Sequence, residues 1–450
     1  MDDNLRSAAA RLDRELIARH RFDTELFDEL NEFQLSKGLT HGERAISPFL
    51  RPYFLGASRY EAIRRAAWEL SGAFESLTEA ALEYPEIMSL LGMTEAEERF
   101  ARYEPGYRTI SVTSRLDTFL SDSGFKFLEY NAETPAGVGD QSLFAEIYDR
   151  VPLVRQFLRD YSHHVPRPHA KLLEAMLAAY REFGGRSRQP NIAIVDWAGV
   201  DTAGEFEILA RFFESKGYRT IICDPKELEY NGEKLHAGPF EIDIFYKRLI
   251  IHEFLERFDE KHPIGKAIAD GNVCMINSFR SKIPHKKAGF ALLSDDKFHR
   301  LFTPQQIESI RAHIPWTRIV TDSQTDHQGQ AVDLLKFIRS ERFRFILKPN
   351  DDYGGKGIVF GWESSESEWD DAIETALDAD FVVQERASVQ KTDIPVFGDG
   401  EASIQSLTVD FDPYLFSGET EGGMVRLAPG SLVNVTQGGG ETGLVILEEH

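Results

Sequence analysis

The spacing of apolar residues divides the chain into stretches of different rhythm. Up to about residue 100 they recur at helical period, most clearly over 12–33 and 59–82, which predicts amphipathic helices. Pro105–Gly106 punctuates a change of period. A hairpin is expected next. Its arms carry Arg115, Leu116 and Asp117 on one side and Glu129, Tyr130 and Asn131 on the other, around turn residues Ser121, Asp122, Ser123 and Gly124. Pro135, Ala136 and Gly137 break the second arm, and helical spacing returns over 141–161 and 169–183.

After a polar, basic connector at 184–190, the order becomes strand (191–195), helix (205–216), strand (218–223) and strand (242–246). That succession predicts an open α/β unit with a parallel sheet, ending near Pro284. From about residue 290 the pattern changes again. Short helices open at Asp296 and Pro304, and strands are expected at 343–348, 357–360, 381–385, 406–411 and 431–436. These read as antiparallel sheet with helices on one side. The expected class is α/β (α+β), with regions 1–185, 186–288 and 289–450.

The hairpin carries the first candidate chemistry. Folded about Ser123, it pairs Asp117 with Glu129 and Arg115 with Asn131, and places all of them on one face. Opposed carboxylates repel across strands. A bound cation would relieve that repulsion, and Asp117, Glu129 and the Asn131 carbonyl are hard oxygen ligands of the kind magnesium takes. On this reading Asp117→Asn relieves repulsion and leaves the fold as stable or more so. The plainer alternative is the solvated face of a sheet.

A second feature lies far downstream: Lys348, Pro349, Asn350, Asp351, Asp352, then Tyr353, Gly354, Gly355, Lys356 and Gly357. A lysine on a strand before a glycine-rich turn suits a polyphosphate, because the glycines let backbone N–H groups approach phosphate oxygens. An inward lysine is costly unless it meets an anion. The loop lacks Walker spacing, and an ordinary hairpin turn is the alternative. Lys297 opens a helix behind Ser294 and is either a phosphate ligand or a surface lysine. Gln384 and Glu385 end an apolar strand and suit an adenine amino group, or are simply the first polar residues after it. Asp410 and Asp412 rank below the hairpin acids, because Pro413 suggests an exposed edge. Arg426, Asn434 and the glycines of Gln437–Gly440 are further candidates for the same cleft.

Bulk properties narrow the class. Lysine and arginine total 51 against 74 acids, a net charge of −23, which disfavours nucleic acid and anionic lipid as partners. The two cysteines, Cys223 and Cys274, form no CxxC and point to a reducing compartment. The first residues lack signal-peptide character and no apolar run is long enough to span a bilayer, so a cytoplasmic enzyme is expected.

The elements Arg115-x-Asp117 and Glu129-x-Asn131-Ala-Glu-Thr-Pro resemble the metal-binding hairpin of glutathionylspermidine synthetase-like proteins, the circularly permuted ATP-grasp ligases. The resemblance runs by motifs over about residues 100–450. It implies an ATP-grasp-like fold, with an open α/β pre-ATP-grasp domain and a helical N-terminal region. It implies that Asp117, Glu129 and Asn131 bind Mg2+ and that Arg115 steadies the transferring phosphoryl group. Lys297 and Lys348 would hold ATP phosphates under a lid of Tyr353, Gly354, Gly355, Lys356 and Gly357, with Gln384 and Glu385 near adenine. Residues 1–100 hold no cysteine, so the cysteine-dependent amidase of bifunctional members has no counterpart there. No residues match a glutathione or polyamine site. The expected activity is ATP-dependent joining of a small-molecule carboxylate to an amine. Its rivals are carboxylate or hydroxyl phosphorylation without an amine step, and a nucleotide-binding module without turnover.

Overall fold

The computed structural model describes residues 1, 3–352, 355–398, 400–430 and 439–449. Tyr353, Gly354, Asn434, Gln437, Gly438 and the strand expected at 431–436 lie outside them.

The hairpin forms in the register its sequence implies. Strands Thr113–Ser121 and Gly124–Asn131 pair Arg115 with Asn131 and Asp117 with Glu129, with a bulge after Asp117 absorbing the offset from the Asp122–Ser123 turn. The hairpin lies against the sixteen-residue strand Glu401–Phe416, which continues to Glu419–Ala428 and Gly440–Thr442. The near half of that long strand also pairs with Lys391–Gly398. Thus the main sheet joins elements from both ends of the chain. Helix Ala57–Glu83 packs its apolar stripe, including Leu70, Phe74 and Leu77, in the same core as Leu116, Phe127, Val409 and Phe411.

Two further sheets flank it. Ile192–Val195, Thr220–Cys223, Ile244–Lys247 and Cys274–Ile276 form the expected parallel sheet. The other, order Thr317–Ile319, Phe381–Glu385, Phe345–Pro349, Val359–Phe360, is antiparallel, as expected for its last three strands. Thr317–Ile319 was not foreseen, and the strand expected at 406–411 belongs instead to the main sheet, where its long continuation pairs with the hairpin. Helix Glu366–Asp378 buries Trp369 and Ile373 against it.

Some predicted helices are divided. The stretch 12–33 breaks at Arg21–Asp23, where Asp23 caps the second helix, Thr24–Lys37, by accepting from the Leu26 N–H. The stretch 141–161 breaks at Val151, because Pro152 opens a new helix, Pro152–Asp160, after Gln141–Asp149. Strand Tyr53–Gly56 interrupts the helical N-terminal region and pairs in parallel with Leu444–Leu447. No helix among the described residues is long and apolar enough to cross a membrane. Both cysteines are buried, and burial pushes the Cys223 thiol up to about 12.

Candidate active site

Side-chain alternation builds the centre of the site. Asp410, Asp412 and Tyr414 share one face of the long strand; Arg426 stands opposite Asp410, and Arg115 opposite Tyr414. Asp117 completes the group. The carboxylates of Asp117, Asp410 and Asp412 approach within 4.8 Å of one another. Arg426 Nη2 bridges all of them, at 2.9 Å from Asp117, 2.5 Å from Asp410 and 2.7 Å from Asp412. Arg115 adds a two-pronged contact to Asp117 at 3.0 and 3.3 Å.

This arrangement corrects two sequence-based expectations. Asp410 and Asp412 are buried rather than at an exposed edge, because Pro413 sits at a register shift inside the sheet. The repulsion between hairpin acids is relieved by the protein's own cations. Asp117 turns to Arg115 and Arg426, while Glu129, its cross-strand partner, turns to Lys287 Nζ at 3.3 Å. Asn131 donates its side-chain amide to Asp117 Oδ1 at 2.7 Å. Despite burial, Arg115 and Arg426 hold the Asp117 carboxyl down at about 2. Burial, then the charges of Asp117 and Asp410, push Asp412 well above the ordinary carboxylate range.

Lys348 reaches this centre from the antiparallel sheet. Its ammonium is buried, 2.8 Å from Gln384 Oε1 and 3.3 Å from the Leu128 carbonyl of the hairpin. Burial lowers it to about 8, against the opposing pull of Glu129, Asp117 and Asp410. Gln384 is oriented by donating to Thr317 Oγ1 at 3.1 Å. Glu385 faces the other way, to Arg344 at 2.6 Å and His327 at 3.2 Å. Lys297 does not join the group: it is 72% exposed and 3.7 Å from Asp295. Lys287, which the sequence reading did not single out, is buried here and bonds both Glu129 and the Asp352 carbonyl, the latter at 2.6 Å. Gly355 and Gly357 both adopt left-handed backbone, at φ 78° and 66°, which favours glycine there. Lys356 between them is exposed.

A buried ionic cluster anchors the start of this glycine segment. Asp351 accepts from Lys282 at 2.6 Å and Lys286 at 2.7 Å. Those lysines also meet Glu133 and Glu97, at 3.3 and 3.0 Å. Despite burial, Lys282 and Lys247 hold Glu133 at about 2, and Lys282 and Lys286 hold Asp351 well below its ordinary value. The sequence reading missed these lysines. Their signal was a local cluster of cationic residues, Arg280, Lys282, Lys286 and Lys287, in an otherwise acidic chain. It also missed a set of buried carboxylates on the Tyr414 side: Asp140, Glu205 and Glu441. Burial raises Glu441 to about 7, and burial with the charge of Glu205 raises Asp140 well above its ordinary value. Glu205 pairs with Arg248 at 3.1 Å.

No known family model matches the chain. An uncharacterized protein of Mycobacterium leprae is 25% identical over 355 residues, 74% of this chain and 59% of its own length. One from Mycobacterium tuberculosis H37Rv is 25% identical over 335 residues, covering 70% of this chain and 56% of that protein. The chain therefore spans less than two thirds of these curated relatives. A carboxyaminoimidazole ribonucleotide synthase of Aspergillus clavatus, solved with ATP, overlaps 55% of this chain and 59% of its own at 12% identity, with a TM-score of only 0.25. A glutathione synthetase-like effector of Globodera pallida, solved in apo form, superposes on 94% of this chain and 96% of its own at 13% identity and a TM-score of 0.60. The chain has a glutathione synthetase-like fold of mixed α/β class.

Proposed function

We propose that the chain is an ATP- and Mg2+-dependent carboxylate–amine ligase that works through an acyl phosphate. The observation that carries this reading is Lys348. A buried ammonium on the strand before a glycine segment meets hairpin residues more than 200 positions away, at Leu128, and lies in the field of Glu129, Asp117 and Asp410. A lysine so desolvated calls for an anion, and a nucleotide's phosphates would provide one.

In this reading Lys348 and Lys287 hold ATP phosphates beneath the glycine segment. The acid's carboxylate oxygen attacks the γ-phosphorus, the bond to the β-phosphate oxygen breaks, and ADP departs. Arg115 offsets charge on the transferring group. The amine then attacks the acyl carbon and inorganic phosphate leaves. Asp140, Glu205 and Glu441 are suited to receive the amine as its ammonium, since a cation would relieve their crowding, and Glu441, raised by burial to about 7, would take the proton that the amine must lose before it attacks. Fixed positive groups in a dry site act without reorganisation.

The residues fit a magnesium ion: Asp117, Asp410 and Asp412 offer hard oxygens, and Asp410 Oδ1 is buried without a hydrogen-bond partner among the described residues. They would hold the ion, with Glu129 alongside, and it would neutralise phosphate charge when bound. Arg426 spans the same carboxylates, and this favours a second reading, a nucleotide-binding module without turnover.

One pair of assays separates these readings. Thermal unfolding with ATP, with and without Mg2+, tests the nucleotide site; MgATP is expected to raise the midpoint. ADP release across a panel of acids and amines tests the ligase, which requires both substrates together. Release with acid alone indicates phosphotransfer. Stabilisation without release indicates the binding module, and absence of stabilisation overturns the nucleotide site itself.

A further inference from the structure

A cavity of about 350 Å³ lies among helices Gln141–Asp149 and Pro152–Asp160, residues 163–168 and strand Leu444–Leu447. It shares no lining residue with the Arg115–Lys348 centre. Its walls are mainly apolar, with Phe144, Leu158, Val165 and Leu444 prominent. Gly443 sets one wall, where an added Cβ would sit 2.6 Å from Phe144 Cβ. Gln141, only 7% exposed, lines this cavity, and its Nε2 has no hydrogen-bond partner among the described residues.

A buried amide N–H pair without an acceptor costs free energy that a ligand oxygen would recover. Arg155 and Arg159, one helical turn apart and exposed, also line the cavity. Neither guanidinium enters a hydrogen bond or ion pair among the described residues. These groups all seek an acceptor, and planar guanidinium matches carboxylate. Glu146 and Asp149 reach the same lining, which disfavours a polyanion and leaves room for an ammonium beside a single carboxylate. Apolar walls with a few convergent polar groups are the usual composition of a small-molecule site.

We propose that this cavity binds a small carboxylate with an apolar body, its charge held by Arg155 and Arg159 and a carboxylate oxygen accepting from Gln141. The full-length chain is titrated calorimetrically with phenylacetate, phenylalanine and phenethylamine, each also in the presence of MgATP. At least one of the two carboxylates is expected to bind and phenethylamine is not. Tighter binding of phenylalanine than of phenylacetate assigns its ammonium to Glu146 and Asp149; equal or weaker binding identifies a plain carboxylate site. Arg155→Gln with Arg159→Gln is expected to weaken binding by at least about tenfold without changing the unfolding midpoint, because both residues are exposed. Ala145→Trp, from an exposed wall position, is expected to weaken it too by narrowing the cavity. Failure of both carboxylates, equal binding of phenethylamine, retention of affinity in the double arginine variant, or displacement by MgATP overturns the proposal.

Discussion

Lys348 Nζ lies 2.8 Å from Gln384 Oε1, a contact between neighbouring strands that fixes a desolvated ammonium beside the hairpin acids. Its folded pKa of about 8 lies below the ordinary 10.5, so between these values the folded chain binds fewer protons than the unfolded one. Stability therefore rises with pH across that window. Lys247, also lowered to about 8 by burial, contributes in the same direction. Lys348→Met should remove part of the rise, on the order of 3 kcal/mol at most, in urea unfolding at pH 7.5 and 10. If Lys348 holds phosphate, nucleotide affinity falls as pH climbs through 8, and the variant turns over at least about 100-fold more slowly.

Lys287 and Lys297 make opposite predictions. Lys287 is buried against Glu129, whereas Lys297 is exposed beside Asp295. Lys287→Gln should weaken ATP by about tenfold or more, and Lys297→Gln should leave affinity and midpoint unchanged. Isothermal titration of both variants decides which lysine serves the nucleotide.

Asp117→Asn should destabilise the fold, contrary to a picture of bare opposed acids. The carboxylate sits at about 2 because Arg115 and Arg426 grip it despite burial, so its ionised form adds about 2 kcal/mol above the unfolded value of 3.8. That contribution disappears as pH falls through 3.8 towards 2. Denaturant midpoints of wild type and variant should therefore converge in acid; an equal or more stable variant at pH 7 contradicts the hydrogen-bond map.

Asp351 lies between two deeply buried lysines, so Asp351→Ala leaves Lys282 and Lys286 short of an acceptor. A loss of about 3–5 kcal/mol is expected. Glu133 and Asp351 both have lowered values, so their stabilisation holds above about pH 4.5 and is lost on acidification. Circular dichroism from pH 7 to 2 should show cooperative acid unfolding that begins at higher pH in the variant.

Arg426→Gln removes the cation shared by Asp117, Asp410 and Asp412. The variant should be less stable by about 3–5 kcal/mol and should regain part of that with millimolar Mg2+ or Ca2+. Wild type should respond less to either ion without nucleotide. A variant indifferent to divalent ions removes these acids from consideration as metal ligands.

The hairpin register was legible because Arg115 with Asn131 and Asp117 with Glu129 fold about one centre at Ser123, next to residues that favour a turn; the bulge after Asp117, which sets the turn half a residue earlier, was not legible. Which way each side chain turns was not, since Lys287 and Arg426 arrive from elsewhere in the chain. Pro413 misled for a local reason: proline signals an edge unless a register shift absorbs its missing donor, and that shift depends on the partner strand. Lys287 and Lys297 lie ten residues apart; Lys287 stands among other cations before an apolar run and is buried, whereas Lys297 follows Asp295 and Asp296 and is solvated, and the sequence reading took the second because it opens a helix. The parallel and antiparallel sheets were readable because apolar runs, crossover helices and the glycine turn mark them locally.

Strand Thr113–Ser121 covers one flank of Glu401–Phe416, so the early part of the chain shields backbone made near its end. A polypeptide truncated from the amino-terminal side and lacking that cover would present unpaired amides and carbonyls along a long strand, an invitation to stick to a neighbouring molecule. Shortening from the amino-terminal side past the hairpin should thus give inclusion bodies rather than a smaller soluble protein.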